Sequence, residues 1–237
     1  MLKLIKKKIS AFVAIGLAAS FLSTGLSAFS FFSSNKDLPS PQAVKYALNA
    51  YRWAIDHGEA VNRSILTIVD FTLPSDKKRL WVINLKNNRV LLHTYVAQGK
   101  GSGTLFATRF SNSAGSHASS PGIFTTGEVY EGEHGQSLRV NGLEPGINDN
   151  ALNREIVIHP AEYVTEAFIK AKGYAGRSWG CFAVDPDLAG RLISMLKGGT
   201  VLFANAPSEK YDPHVNHSLS YEDAMHYRGI MGGFLTS

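Results

Sequence analysis

The sequence predicts a mainly β domain, a sandwich or barrel with two or three peripheral helices. Short apolar runs of β-rich composition recur between turn residues, as at Ile65–Phe71, Leu80–Leu85 and Val90–Ala97. Apolar residues at helical spacing are confined to a few segments. With 237 residues, of which 44% are hydrophobic, the chain can bury one sizeable core, so one main domain is expected.

The first 30 residues are typical of an export segment, either a signal peptide or a membrane anchor. Lysines at positions 3, 6, 7 and 8 precede an apolar run over residues 9–26, and Ala28-Phe29-Ser30 is a weak small-x-small cleavage site. Glycines and serines within the run favour cleavage, although its length is almost enough to span a bilayer. We therefore expect an exported protein of the periplasm or cell envelope that contacts the membrane only through this segment.

The net charge of +5 belongs to the same segment. Residues 1–30 hold four lysines and no acidic residue, which leaves 20 basic and 19 acidic residues, a net charge of +1, in the rest of the chain. A basic surface for nucleic acid is therefore not expected.

Residues 31–60 are predicted to form a linker and an amphipathic helix. Ser40 is a suitable N-cap and Pro41 suits the first turn, and apolar residues then recur at helical spacing until His57-Gly58. This helix is expected to pack on the domain that follows.

Residues 61–205 are predicted to form the main domain. Lys86-Asn87-Asn88 predicts a hairpin turn, and the Gly- and Ser-rich stretch Gly99–Ser120 is long enough to be functional or mobile. Further strands are predicted at residues 123–124, 137–140 and 200–205, with a helix at Asp187–Leu196. Residues 206–237 show little periodicity and are interpreted as an extended or poorly ordered tail.

The only cysteine, Cys181, lies between Gly180 and an apolar run that predicts a strand. Upstream, another apolar run ends on His159, and residues 163–171 between them have helical periodicity. This order can bring an imidazole and a thiol together at one sheet edge. Because exported chains tend to pair their cysteines, a lone one indicates a reactive thiol or an intermolecular bridge, with an inert buried cysteine as the alternative.

The chemistry that this pattern predicts is nucleophilic catalysis, with Cys181 as the nucleophile and His159 as its base. The backbone amides of Gly180 and Cys181 are expected to form an oxyanion hole. The Ser178 hydroxyl either orients His159 or the substrate, or stabilises a turn. The chain has neither His-Glu-x-x-His nor paired cysteines, so no metal and no cofactor is expected. His93 and His117 are interpreted as polar groups that line the cleft or as structural residues.

These residues resemble a known family. His159 followed by Gly176-Arg177-Ser178-Trp179-Gly180-Cys181 resembles the His…Ser-x-Gly-Cys signature of the L,D-transpeptidase catalytic domain, over about Leu80 to Ala204. Three further motifs resemble its murein L,D-transpeptidase subgroup: Phe110-Ser111-Asn112, Ser116-His117 and Leu143-Glu144-Pro145-Gly146-Ile147-Asn148. The resemblance implies a β-sandwich-like fold and a cysteine acyl transferase that acts on peptidoglycan stem peptides.

The resemblance also implies a reaction and a set of site residues. The thiolate attacks the carbonyl of the L-centre of the third stem residue, D-alanine leaves, and an amine resolves the thioester into a 3–3 cross-link. Water as acceptor gives an L,D-carboxypeptidase instead, and a wall-binding module without activity is a further alternative. The implied catalytic residues are Cys181, His159, Ser178 and Gly180; the expected substrate-binding residues are Trp179, Arg177, His117 and His93.

Two positions depart from the wider family pattern. Ala183 stands where many members carry an arginine, so carboxylate recognition must come from elsewhere, with Arg177 and Arg154 as candidates. Trp179 stands where a second histidine is common, which leaves His159 as the only base candidate near the motif. The sequence makes no prediction of the oligomeric state.

Overall fold

The computed structural model of the protein describes residues 38–231. The predicted export segment and the last six residues lie outside this part of the chain, so the cleavage and export predictions remain predictions. Within residues 38–231, no helix has both the length and the apolar character needed to cross a membrane.

The described residues form one mixed sheet of eight strands in the order β3-β2-β1-β8-β4-β5-β6-β7. Neighbouring strands are antiparallel except for the β1–β8 and β6–β7 pairs, which are parallel. The mainly β prediction is thereby confirmed. The strands are β1 (Ile65–Asp70), β2 (Leu80–Asn84), β3 (Arg89–Thr94), β4 (Gly122–Gly132), β5 (Gly135–Gly142), β6 (Val157–Pro160), β7 (Phe182–Val184) and β8 (Val201–Asn205).

The helices of the described residues lie at the periphery, as the sequence predicts. They are α1 (Pro41–Asp56), α2 (Glu166–Lys172), α3 (Pro186–Leu196) and α4 (Tyr221–His226). Ser40 caps α1, since its hydroxyl accepts a hydrogen bond from the Ala43 amide at 3.2 Å. Asp185 caps α3 through the Asp187 amide at 3.0 Å. Both helices begin on a proline, where the missing N–H costs nothing.

The sheet has a hydrophobic core on each face because strand side chains alternate. One core holds Phe124, Phe182 and Leu202 with the apolar side of α3. The other holds Ile68 and Phe203 with the buried side of α1.

The two ends of the strand order meet, which curls the sheet. The segment that follows β3 runs beside β7, where the Ala97 amide donates to the Ala183 carbonyl at 2.9 Å. Gly99 then forms a parallel bridge with Ser178. The glycine-rich motif that precedes Cys181 therefore lies where these two ends join.

The segment after β8 is folded onto α1 as far as residue 231, so the prediction of an extended or poorly ordered tail is wrong for this part. Asn49 of α1 donates to the Val215 carbonyl at 2.7 Å, and Arg52 forms an ion pair with Asp223. Val215 and Ile230 are buried in the hydrophobic core between α1 and the sheet. These anchors are too sparse to give a periodic pattern, so the sequence does not reveal them.

Candidate active site

The parallel pairing of β6 with β7 brings His159 and the cysteine to one face of the sheet. Ile158 lies opposite Phe182, and both side chains enter the core that α3 covers. Because side chains alternate along a strand, His159 points to the opposite face. Cys181 directly precedes Phe182 and shares that face. The structure therefore places the predicted base on β6 and the predicted nucleophile directly before the adjacent strand β7, with both side chains on the same side of the sheet.

His159 is held in a form that can accept a proton. Its side chain is buried, with only 2% of the residue exposed, and Nδ1 lies 2.8 Å from the Pro160 carbonyl oxygen. Since a carbonyl oxygen only accepts, Nδ1 carries the hydrogen and Nε2 keeps its lone pair. Burial lowers the pKa of His159, the bond to Pro160 raises it, and the nearby His134 lowers it. The imidazole is therefore neutral at pH 7.

Cys181 is a thiol at rest. Burial raises its pKa, while the backbone of Val157 and the charge of Arg154 lower it. The Sγ atom donates to the Glu155 carbonyl oxygen at 3.5 Å. Among residues 38–231, no hydrogen bond joins this thiol to His159. Forming the thiolate therefore requires the side chains to approach when a substrate is bound.

Ser178 organises the turn that carries the cysteine. Its hydroxyl donates to the Cys181 carbonyl at 2.7 Å and accepts from the Gly180 amide at 3.1 Å. Of the two roles that the sequence left open, the structure favours turn stabilisation, because both partners lie in the turn. The bond also engages the Gly180 amide, so in this conformation that amide is not available to an oxyanion. The oxyanion-hole prediction therefore does not fit this conformation for the Gly180 amide, and for the Cys181 amide it stays a prediction.

Position 180 requires a glycine, both because of its backbone conformation and because of the atoms that surround it. Its φ is +124°, which side-chain-bearing residues rarely adopt. A Cβ atom there would lie 2.8 Å from the Ala118 carbonyl oxygen and 3.1 Å from Nη2 of Arg154. Only glycine lets the turn approach this wall of the site.

Arg154 ties the Ser-rich loop to the site. Nη1 donates to the Ser111 carbonyl at 2.7 Å and to the Ser120 hydroxyl at 2.6 Å, and Nη2 donates to the Ala118 carbonyl at 2.5 Å. Its guanidinium also lowers the pKa of Cys181. With its donors engaged in this way, Arg154 is better suited to hold the wall than to bind a substrate carboxylate.

The expected substrate-binding residues fall into two groups. Trp179 is 70% exposed and stacks on His117, with ring centroids 4.6 Å apart and planes 11° apart. Arg177 is half-buried beside them and makes a long bond, 3.3 Å, to the Thr104 hydroxyl. Trp179 and Arg177 belong to the motif that precedes Cys181, and His117 contacts this motif through Trp179. His93 lies elsewhere: it stacks on Trp81 and lines a separate cleft with residues 38, 40, 70, 73, 77 and 78.

The structure adds three residues that sequence reasoning missed. His134, in the β4–β5 hairpin, stacks on His159 with centroids 4.5 Å apart. Glu155, at a φ of 55°, presents its carbonyl to the thiol. Tyr163 lies beneath the motif against Gly176, and burial, with a smaller effect of Cys181, raises its pKa to about 12. Neither the positive φ of Glu155 nor the contact between His134 and His159 can be recognised from the local sequence.

Cysteine nucleophiles are commonly activated by a histidine, and here a buried histidine on β6 neighbours a cysteine that directly precedes β7. Residues 35–205 match the family model of the L,D-transpeptidase catalytic domain, which is well over half of the chain. The chain therefore belongs to the L,D-transpeptidase catalytic domain family. The match includes α1, which the sequence interpretation had placed before the catalytic domain. No curated protein sequence matches the chain.

Among solved structures, an L,D-transpeptidase from Mycobacterium smegmatis is 17% identical, with a TM-score of 0.38, over 60% of this chain and 59% of that one. An L,D-transpeptidase from Stackebrandtia nassauensis is 15% identical, with a TM-score of 0.37, over 70% and 68%. The helical cell shape determining protein of Campylobacter jejuni is 11% identical, with a TM-score of 0.40, over 78% and 61%. The match thus spans less than two thirds of the length of the mycobacterial protein.

Proposed function

We propose that this chain is an exported L,D-transpeptidase that remodels peptidoglycan in the periplasm or cell envelope. One observation carries the proposal: in a domain of this family, the lone cysteine directly precedes β7 and lies on the same side of the sheet as a buried neutral histidine on the parallel neighbour β6. The basic, apolar N-terminus supports the proposed export.

In the proposed first half-reaction, Nε2 of His159 takes the thiol proton and the Cys181 sulfur attacks the carbonyl of the L-centre of the third stem residue. A C–S bond forms and the C–N bond to D-alanine breaks. The proton passes from His159 to the departing amine. Because burial lowers the pKa of His159, the imidazole is unprotonated and has a free site for the thiol proton, and its weaker basicity favours passing that proton on to the departing amine.

In the second half-reaction, the amine of a neighbouring stem attacks the thioester carbonyl. A C–N bond forms, the C–S bond breaks, and the proton lost by the amine returns the sulfur to its thiol form. The product is a 3–3 cross-link. In this proposal the Trp179 ring, next to Gly180 in the motif, and the His117 ring stacked on it offer a flat surface for a stem peptide, and Arg177 binds its terminal carboxylate.

The experiment is mass spectrometry of the purified full chain after incubation with a tetrapeptide-stem muropeptide, beside the Cys181→Ala and His159→Ala variants. We expect a dimer with loss of D-alanine from the wild type and no product from either variant, each of which keeps the wild-type fold by circular dichroism. Loss of D-alanine without a dimer, even with excess acceptor amine, would instead identify an L,D-carboxypeptidase. Equal turnover by Cys181→Ala would refute the mechanism and favour a binding role.

A further inference from the structure

A second cluster of ionisable side chains lies where the C-terminal segment meets the loop after β5. Glu144 belongs to that loop, and Asp212 and His214 belong to the segment that follows a short 3-10 turn at Pro207–Tyr211. One ligand-type atom from each of the three residues lies within 4.8 Å of the others. None of the three has a part in the proposed acyl transfer.

Glu144 is fixed in place by one of its two oxygens. Its Oε2 atom accepts from the Ile123 amide at 2.5 Å and from Nδ2 of Asn148 at 3.3 Å. The Asn148 side chain in turn accepts from the Glu144 amide at 2.9 Å and donates to the Pro121 carbonyl at 2.8 Å. The loop therefore holds the Glu144 carboxylate rigidly at the start of β4.

The Glu144 carboxyl lies within hydrogen-bonding distance of the Asp212 carboxylate, but two carboxylates have no hydrogen to share unless one of them is protonated. Glu144 is 2% exposed, and its Oε1 atom is buried with no hydrogen bond. The Asp212 side chain is 9% exposed, and its Oδ2 atom is likewise buried with no hydrogen bond. Two buried carboxylate oxygens that lack donors are costly unless a proton or a cation lies between them.

The imidazole of His214 completes a set of three donors. Its Nδ1 atom lies 3.1 Å from Oδ1 of Asp212, and the side chain is 48% exposed. A cleft of about 460 Å³, whose lining includes Asp212 and His214, opens the segment to solvent. An ion can therefore reach these two donors without unfolding of the protein.

The cluster gathers carboxyl groups with few basic groups beside them. In the part of the chain that the structure describes, no lysine or arginine forms an ion pair with Glu144, Asp212 or the neighbouring Glu209, and His214 is within ion-pair distance of Asp212. A bound cation would supply positive charge at this place.

We propose that Glu144, Asp212 and His214 bind a divalent cation that fastens the C-terminal segment to the catalytic domain. Two carboxylate oxygens and one imidazole nitrogen are donors that suit Zn²⁺, and the imidazole disfavours Mg²⁺ and Ca²⁺. The site is structural, since its ligands come from the loop after β5 and from the segment after β8. The separation of the ligands in sequence explains why no metal motif is visible.

The test is calorimetric titration of the chelator-treated full chain with Zn²⁺ alone, together with thermal unfolding in the presence and absence of Zn²⁺. We expect one Zn²⁺ per chain and a higher unfolding temperature with the ion. Asp212→Asn and His214→Ala each remove one ligand. Loss of a residue that only hydrogen-bonds to a metal ligand typically weakens metal binding by roughly 10- to 100-fold. Each of these substitutions should weaken Zn²⁺ binding by at least that much.

The matched control is His217→Ala, which removes an exposed histidine of the same segment that lies outside the cluster. It should bind Zn²⁺ as the wild type does. Asp212→Asn retains an oxygen for the His214 amide, which donates to Oδ1 at 2.8 Å, and His214→Ala empties no buried space, so both variants should fold. No binding by the wild type, binding unchanged by both ligand substitutions, or equal loss in the control would each overturn the proposal.

Discussion

Replacing Ser178 by alanine tests whether its hydroxyl holds the turn from Ser178 to Cys181, which carries the predicted nucleophile. Ser178→Ala deletes the bond to the Cys181 carbonyl at 2.7 Å and the bond from the Gly180 amide at 3.1 Å. A hydrogen bond contributes about 1 kcal/mol net, and a buried donor left without a partner costs about 1–3 kcal/mol. Because Gly180 is buried, we expect the free energy of unfolding to fall by about 2–4 kcal/mol.

The effect on catalysis should be smaller than the loss of a catalytic group. The hydroxyl bonds to the turn and not to the sulfur or to His159, so the variant should retain its mechanism with a less well-positioned thiol. A loss of about 1–2 kcal/mol in transition-state stabilisation corresponds to a fall in kcat/KM of about 5- to 30-fold. The pH dependence of kcat/KM should be unchanged.

Three measurements check this expectation: chemical denaturation, muropeptide turnover, and iodoacetamide alkylation, which reports on Cys181 alone because the chain has no other cysteine. The matched control is Ser113→Ala, an exposed serine of the Ser-rich loop, which should change stability by less than about 0.5 kcal/mol. Wild-type stability combined with a shifted pH profile would refute the reasoning and assign the hydroxyl to the orientation of His159.

Three further substitutions address other parts of the structure. Gly180→Ala should lower the free energy of unfolding by more than about 2 kcal/mol, because its φ is +124° and the new methyl meets a backbone oxygen at 2.8 Å. The control is Gly115→Ala: with a φ of 70° and open space around the position, it should lower the free energy of unfolding only by the backbone strain of about 1 kcal/mol. If both variants lost the same stability in chemical denaturation, the close contact at Gly180 would have no effect. His134→Ala exposes His159 and removes the neighbouring imidazole; because burial and His134 both lower the pKa of His159, this pKa should rise towards its ordinary value. Because the mechanism requires neutral His159, the acid side of the pH profile of kcat/KM should then move to higher pH. A profile that does not move would show that the stacking of His134 on His159 has no electrostatic effect. Arg79→Met should lower the free energy of unfolding by about 3–5 kcal/mol in thermal unfolding, because this fully buried guanidinium donates to two backbone carbonyls and a glutamine side chain. A near-neutral result would show that those acceptors find other donors.

The sequence by itself determined the local elements and indicated Cys181 and His159 as the candidate nucleophile and base. Helix α1 follows from its cap, its proline and its apolar spacing, and the strands follow from short β-rich runs between turn residues. These signals are local, because capping and strand propensity act within a few residues. The lone cysteine after glycine and the strand that ends on His159 were likewise visible without any long-range information.

Only the tertiary structure decided which residues meet. The parallel register of β6 with β7 sets His159 and Cys181 on one face, and the β4–β5 hairpin brings His134 onto the imidazole. The same folding removes His93 from the site, engages the Gly180 amide within its own turn, and folds the supposed tail onto α1. Sheet register and curl are set by pairings between segments far apart in the chain, and local periodicity carries no record of such pairings.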